Sequence, residues 1–184
     1  MRGRDKLLEE IDGAPLLLRQ VRAALSLDAP VLVTLPSDPA ARGALLADVV
    51  HPLLDTESVP DAADGLSASL RTGAQWAAAK DLSGVMVVLP DMPDLTAQDL
   101  QTVAALHRAH PGDVIRATDV EGRHGHPTLL PARLFPALLS LTGDRGARDV
   151  LQDERIMPCA LPGTRATTDL DTPEAWAVWR DQRS

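Results

Sequence analysis

The residues best suited to chemistry fall in a few short stretches. Leu89-Pro90-Asp91-Met92-Pro93 follows an apolar run, and its two prolines stiffen the turn that carries Asp91. In an open α/β sheet, ligands bind beyond the carboxyl ends of strands, so a carboxylate at this point is placed to hold a metal. The alternative is an acceptor that closes its own turn or caps the next helix. Asp169-Leu170-Asp171-Thr172-Pro173 offers a second acidic group. Carboxylates two residues apart in extended chain point to the same side. Asp91 with Asp171 or Asp169 would supply the one or two carboxylates that Mg²⁺ takes beside phosphate oxygens and water. Local sequence alone favours a plainer role for Asp171, as N-cap of a helix opened by Pro173.

Gly65-Leu66-Ser67-Ala68-Ser69-Leu70 puts a glycine and two hydroxyls at a helix start. Free N–H groups there suit a phosphate or a polar base edge; an ordinary helix N-terminus is the alternative. The Gly-Lys-Ser/Thr ending of a Walker loop is absent. Arg123-His124-Gly125-His126-Pro127 supplies at most two of the three or four ligands zinc requires, so it is not read as a metal site. Gly143-Asp144-Arg145-Gly146-Ala147-Arg148 is a turn into a helix with two arginines, either a phosphate contact or a solvated face. No Ser/His/Asp arrangement is legible, and Cys159, in a weak strand, reads as packed rather than nucleophilic.

These stretches need elements to position them. Leu7 to Ile11 reads as extended, Asp12-Gly13 as a turn, and Pro15 as the opening of a helix with Leu17, Val21 and Leu25 on one face. Val31 to Leu35 reads as a buried strand, Ala41 to Val50 as a helix, and Ser58-Val59 as a weak strand. Leu66 to Ala79 reads as a helix and Gly84 to Leu89 as the strongest strand; Thr96 caps a helix through about His110. Asp113–Thr118 and Pro127–Leu130 are further strands; Leu134–Leu141, Ala147–Leu151 and Glu174–Arg180 are helices. Apolar strands separated by helices imply a three-layer α/β domain with a mainly parallel sheet.

Composition agrees. The 184 residues are 45% hydrophobic and 24% charged, ordinary for one globular domain spanning 1–184. With one Phe, three Trp and no Tyr, the core must be built from Leu, Val and Ala. Eighteen Lys and Arg against 26 Asp and Glu give a net charge of −8, which argues against nucleic acid or an anionic membrane as partner. The single cysteine excludes an intrachain disulfide and fits a reducing cytosol. No apolar run approaches the roughly 20 residues of a membrane span, and the N-terminus lacks a signal peptide's apolar segment. A cytoplasmic location is the expectation.

Taken together, the ordered stretches resemble the MobA-like nucleotidyltransferases, most closely the molybdenum cofactor cytidylyltransferase (MocA-type) branch. The matching pieces are Met1-Arg2-Gly3-Arg4-Asp5-Lys6-Leu7-Leu8, Asp12-Gly13-Ala14-Pro15-Leu16, Gly65 to Leu70, Leu89 to Pro93, Gly125-His126-Pro127, Gly143 to Arg148 and Asp169 to Pro173. The resemblance implies a Rossmann-like mixed sheet, catalytic Mg²⁺ on Asp91 and Asp171, Lys6 on the nucleotide phosphates, and Gly65, Ser67 and Ser69 near the base or ribose. It implies transfer of CMP from CTP to molybdopterin carrying molybdenum, with a molybdenum enzyme or its maturation chaperone as receiving partner. Guanylyl or other nucleotidyl transfer to a small phosphorylated acceptor, and a non-catalytic cofactor carrier, are the alternatives. The family opens with an apolar strand and a loop of the form Leu-Ala-Ala-Gly-x-Ser-x-Arg-Met-Gly. Met1 coincides with the Met near that loop's end, with Arg2 between it and Gly3. The expectation is therefore an N-terminally incomplete domain: either the coding region begins upstream, or the chain is truncated and binds nucleotide poorly.

Overall fold

The computed structural model describes residues 5–59, 65–143 and 147–183. The Asp5 carboxylate accepts from the Leu7 N–H and winds Lys6–Leu8 into a 3-10 turn. The extended reading of Leu7 to Ile11 is corrected accordingly, since only Glu10–Ile11 (β1) is extended. Asp12 and Gly13 take φ of 52° and 77°, the twist a tight hairpin needs, and pair β1 with Ala14–Pro15 (β2). Helix α1 (Leu16–Leu25) then buries Leu17, Val21 and Leu25 with Leu16 and Gln20.

Val31–Pro36 (β3) runs parallel to Leu54–Val59 (β4), with α2 (Ala40–Ala47) between them. β4 is longer than the Ser58-Val59 fragment expected, because its exposed Thr56, Glu57 and Ser58 hide it from a search for apolar runs. Then follow α3 (Leu66–Ala79), β5 (Gly84–Val87), α4 (Ala97–Ala109), β6 (Val114–Thr118), β7 (His124–Pro131) and α5 (Phe135–Leu139). The chain ends with α6 (Arg148–Leu151), β8 (Ile156–Ala160) and α7 (Pro173–Asp181).

The larger sheet has the order β5-β7-β6-β8. β7 is antiparallel to both neighbours, while β6 and β8 are parallel, so the sheet is mixed with one reversed strand. Its pleat sorts the core into two faces. Val114 and Leu130 pack with Leu70 and Ala74 of α3 and Phe135 and Leu138 of α5. Their neighbours Ile115 and Leu129 pack on the other side with Val103 of α4. Helices on both faces make the α/β class and the three layers. A third cluster joins α1 to Trp176 and Trp179 of α7, whose rings meet edge to face at 6.0 Å.

β3 and β5 both pack on α3 yet do not pair with each other. Each has one edge without a strand partner among the described residues. That corrects one expectation: in β3 only Leu35 is buried, and β5 is half-buried throughout. Apolar strands reach full burial when neighbours cover both edges and both faces, which these two lack here. The expected upstream strand, like Met1 to Arg4, lies outside the described residues. Among the described residues, no helix is long and apolar enough to cross a membrane.

Candidate active site

The turn after β5 carries Asp91 to the sheet's end, where the Lys6 ammonium donates to its Oδ2 at 2.6 Å and to Asp171 Oδ1. Residues 85 and 165 positions apart thus converge on one nitrogen. Lys6 and Asp91 are largely covered, with side chains 24% and 18% exposed, whereas Asp171 is 65% exposed. Burial works to lower the Lys6 pKa, but the hydrogen bonds to Asp171 and Asp91 together outweigh it and raise it, so Lys6 is charged at neutral pH.

Neither carboxylate does the structural work that was its alternative. Thr96 and Asp99 form a capping box at the N-terminus of α4, and the Asp91 carboxylate bonds only Lys6 among the described residues. At α7 the expected cap is corrected from Asp171 to Thr172, whose Oγ1 accepts from the Ala175 N–H at 3.1 Å. The residue before a proline is held extended, and Thr172, at φ −121° and ψ 153° before Pro173, takes the conformation an N-cap needs. Asp171 is left outside the helix, facing Lys6.

Long-range bonds hold these groups in register. The buried Gln20 side chain donates to the Met92 carbonyl at 2.8 Å, and the Leu170 N–H donates to the Asp91 carbonyl at 3.2 Å. Arg42 grips the Asp5 carboxylate at 2.6 and 2.9 Å, fixing the turn that bears Lys6. The segment leading to Asp171 lies on the start of β7: a Cβ on Gly125 would fall 1.7 Å from the Ala166 carbonyl oxygen, so only glycine allows this approach. Thr167 Oγ1 donates to Asp119 Oδ2 at 3.0 Å.

Asp119 is 1% exposed. Burial pushes its carboxyl up, but bonds from the Arg123 side chain and N–H, the Thr167 hydroxyl and the Glu121 N–H prevail and lower it to about 2. An unfolded aspartate titrates near 3.9. Its stabilising effect is therefore complete above about pH 4 and is lost as pH falls toward about 2. Denaturant midpoints of Asp119→Asn should be lower than wild type at neutral pH and depend less on pH in that window; parallel curves would show that Asp119 does not govern this step.

The expected nucleotide contacts lie at the start of α3. Gly65 is its exposed N-cap, at a φ of 61° that favours glycine. Ser67 is wholly buried, and Ser69 accepts from Thr34 of β3 at 3.2 Å. Leu66 and Val87 line one cavity, so this helix start stands beside the end of β5. Within Gly143 to Arg148, residues 144–146 lie outside the described residues; Arg148 is exposed at the start of α6 and lines the same cavity. Cys159 is buried, and burial pushes its thiol up, as befits a packed side chain.

Three contributors escaped sequence reasoning. Arg116 was merely a strand residue, Gln20 merely a helix residue, and His126 was weighed as a metal ligand and as part of a family-matching stretch, with no other role assigned. His126 lines the cavity, with Nδ1 3.4 Å from the Val87 carbonyl. Burial lowers its pKa and Arg116 lowers it further, against the opposing pull of the Val87 carbonyl and Asp91. A buried glutamine in an otherwise apolar helix face was the one signal available for Gln20.

Among the described residues, no group of three or more His, Cys, Asp or Glu side chains could hold a metal. The donor set is the pair Asp91 and Asp171, already converging on the Lys6 cation. Mg²⁺ takes one or two carboxylates beside phosphate oxygens and water, whereas zinc takes three or four protein ligands, so a pair of carboxylates suits Mg²⁺ and not zinc.

The sequence model of the MobA-like NTP transferase domain matches residues 1–158. Purine catabolism protein PucB of Bacillus subtilis (strain 168) is 26% identical over 123 residues, 65% of this chain; the chain spans 58% of that protein's length. Rv0371c of Mycobacterium tuberculosis H37Rv, solved in complex with manganese, superposes with a TM-score of 0.75 at 22% identity, covering 96% of this chain and 91% of that one. Molybdopterin-guanine dinucleotide biosynthesis protein A of Archaeoglobus fulgidus gives 0.67 at 12% identity over 99% and 92% of the two chains. At these identities the structural likeness shows the fold.

Proposed function

Because this chain belongs to the MobA-like NTP transferase family, we propose that it transfers CMP from CTP to the phosphate of molybdopterin carrying molybdenum. The observation that carries this reading is the convergence of Lys6, Asp91 and Asp171 at the end of β5. An acceptor phosphate oxygen bonds to the α-phosphorus, the bond to the β-phosphate bridge breaks, and pyrophosphate leaves with the electron pair. An acceptor phosphate already ionised needs no general base. Asp91 and Asp171 would hold a Mg²⁺ ion, which supplies charge neutralisation on the phosphates when bound. Lys6 turns its ammonium from the two carboxylates to the triphosphate and offsets charge there. Gly65 and Ser69 would meet the base or ribose, whereas Ser67, expected beside them, is wholly buried.

Support for a divalent cation comes from the fold neighbour solved with manganese. Support for a molybdopterin acceptor comes from the Archaeoglobus neighbour, whose name also favours a second reading, guanylyl transfer. Calorimetric titration of the four nucleoside triphosphates, with and without Mg²⁺, decides between them. CTP is expected to bind more tightly than GTP and only weakly without the metal. A preference for GTP would select the second reading, and equal affinity for all four would sink the first.

A further inference from the structure

Beside the end of β5 lies a cavity of about 430 Å³, within the size range of small-molecule sites. Its floor is the sheet, through Arg116 of β6 and His126 of β7, and its cover is α3 and α6. The described lining holds two guanidiniums, Arg116 and Arg148, and no carboxylate, in a chain with a net charge of −8. Such a local reversal of sign draws an anion. Arg116 uses its Nε on the Gly125 carbonyl at 3.2 Å, and Arg148 makes no hydrogen bond or ion pair among the described residues. Both guanidiniums therefore keep donors for a ligand. The rest of the wall is mostly apolar, with Leu66, Leu70 and Leu151 facing in. Val87, the last residue of β5, lines the cavity, and its carbonyl lies 3.4 Å from His126 Nδ1, so the cavity adjoins the strand end that leads to Asp91.

We infer that this cavity receives the acceptor, a phosphate monoester with an apolar or planar body, through Arg116 and Arg148. Leu66, Leu70 and Leu151 cover the body, and the phosphate lies on the side nearest Asp91. The inference rests on the transfer reading and deepens it by assigning the acceptor's class and its binding residues.

The test titrates phenyl phosphate, and phenol as its neutral counterpart, into the full chain with and without saturating Mg²⁺ and CTP. Phenyl phosphate is expected to bind, phenol to bind far less, and CTP not to compete. Arg116→Gln and Arg148→Gln should each weaken phenyl phosphate at least about fivefold, the loss of a charged hydrogen bond, with CTP affinity unchanged. Arg148→Gln breaks no bond within the described fold, so its effect cannot be ascribed to unfolding. Equal binding of phenol, unchanged affinity in both variants, or displacement by CTP overturns the assignment. Arginine-dependent binding of phenyl phosphate in a chain that binds no nucleotide would keep the anion site and remove the transfer reading.

Discussion

Asp91→Asn is expected to cut turnover at least about 100-fold, the usual scale for an electrostatic group at a reacting phosphate or carbonyl. Its thermal midpoint should move by no more than about 3 °C, since a partly exposed ion pair contributes roughly 1 kcal/mol or less. Both halves follow from one geometry. The carboxylate bonds Lys6 and neither caps α4 nor closes its own turn. The amide oxygen of Asn still accepts from Lys6, and the Asp91 main-chain carbonyl still receives the Leu170 N–H. What disappears is one of two negative charges facing the same cation. Thermal melts alongside pyrophosphate release from CTP check this. A variant that melts far lower yet still releases pyrophosphate would make Asp91 a structural residue.

Lys6→Ala should move two measurements in opposite directions. Lys6 now occupies the point on which both carboxylates converge, so in the absence of nucleotide it competes with a divalent cation. Removing a unit charge about 4 Å away is worth roughly 1–4 kcal/mol between water and a protein surface, so Mn²⁺ affinity without nucleotide should rise at least about fivefold. Turnover should nevertheless fall about 100-fold, because the ammonium that offsets charge on the triphosphate is gone. Manganese titration followed by electron paramagnetic resonance gives the first quantity and pyrophosphate release the second. Unchanged or weaker manganese binding would mean that the two carboxylates do not share a cation.

Much of this architecture is local and was therefore legible. The helix over Leu66–Ala79, the Thr96 cap and the strand after Gly84 depend on composition and neighbours, and they stand where the sequence places them. Asp91 was legible because it follows an apolar run directly and lies between prolines. Asp171 was harder. Its segment is irregular, and what brings it to Lys6 is docking at long range: Ala166 on Gly125, Thr167 on Asp119 and Leu170 on Asp91. No periodicity reports such contacts, so local chemistry favoured the cap over the metal pair, and the neighbouring Thr172 fills that role. β4 escaped for a different reason, since three exposed polar residues interrupt its pattern. Arg116 became meaningful only when β6, β7 and α6 stood around one cavity.

The Lys6, Asp91 and Asp171 site is proposed to catalyse metal-dependent nucleotidyl transfer. The most direct measurement follows CTP labelled at either the α- or the γ-phosphorus, with molybdopterin carrying molybdenum as acceptor and Mg²⁺ present or chelated. The expected result is α-label in the acceptor product and γ-label in pyrophosphate, both abolished by chelation. γ-Label released as orthophosphate, or transfer that persists after chelation, would contradict it.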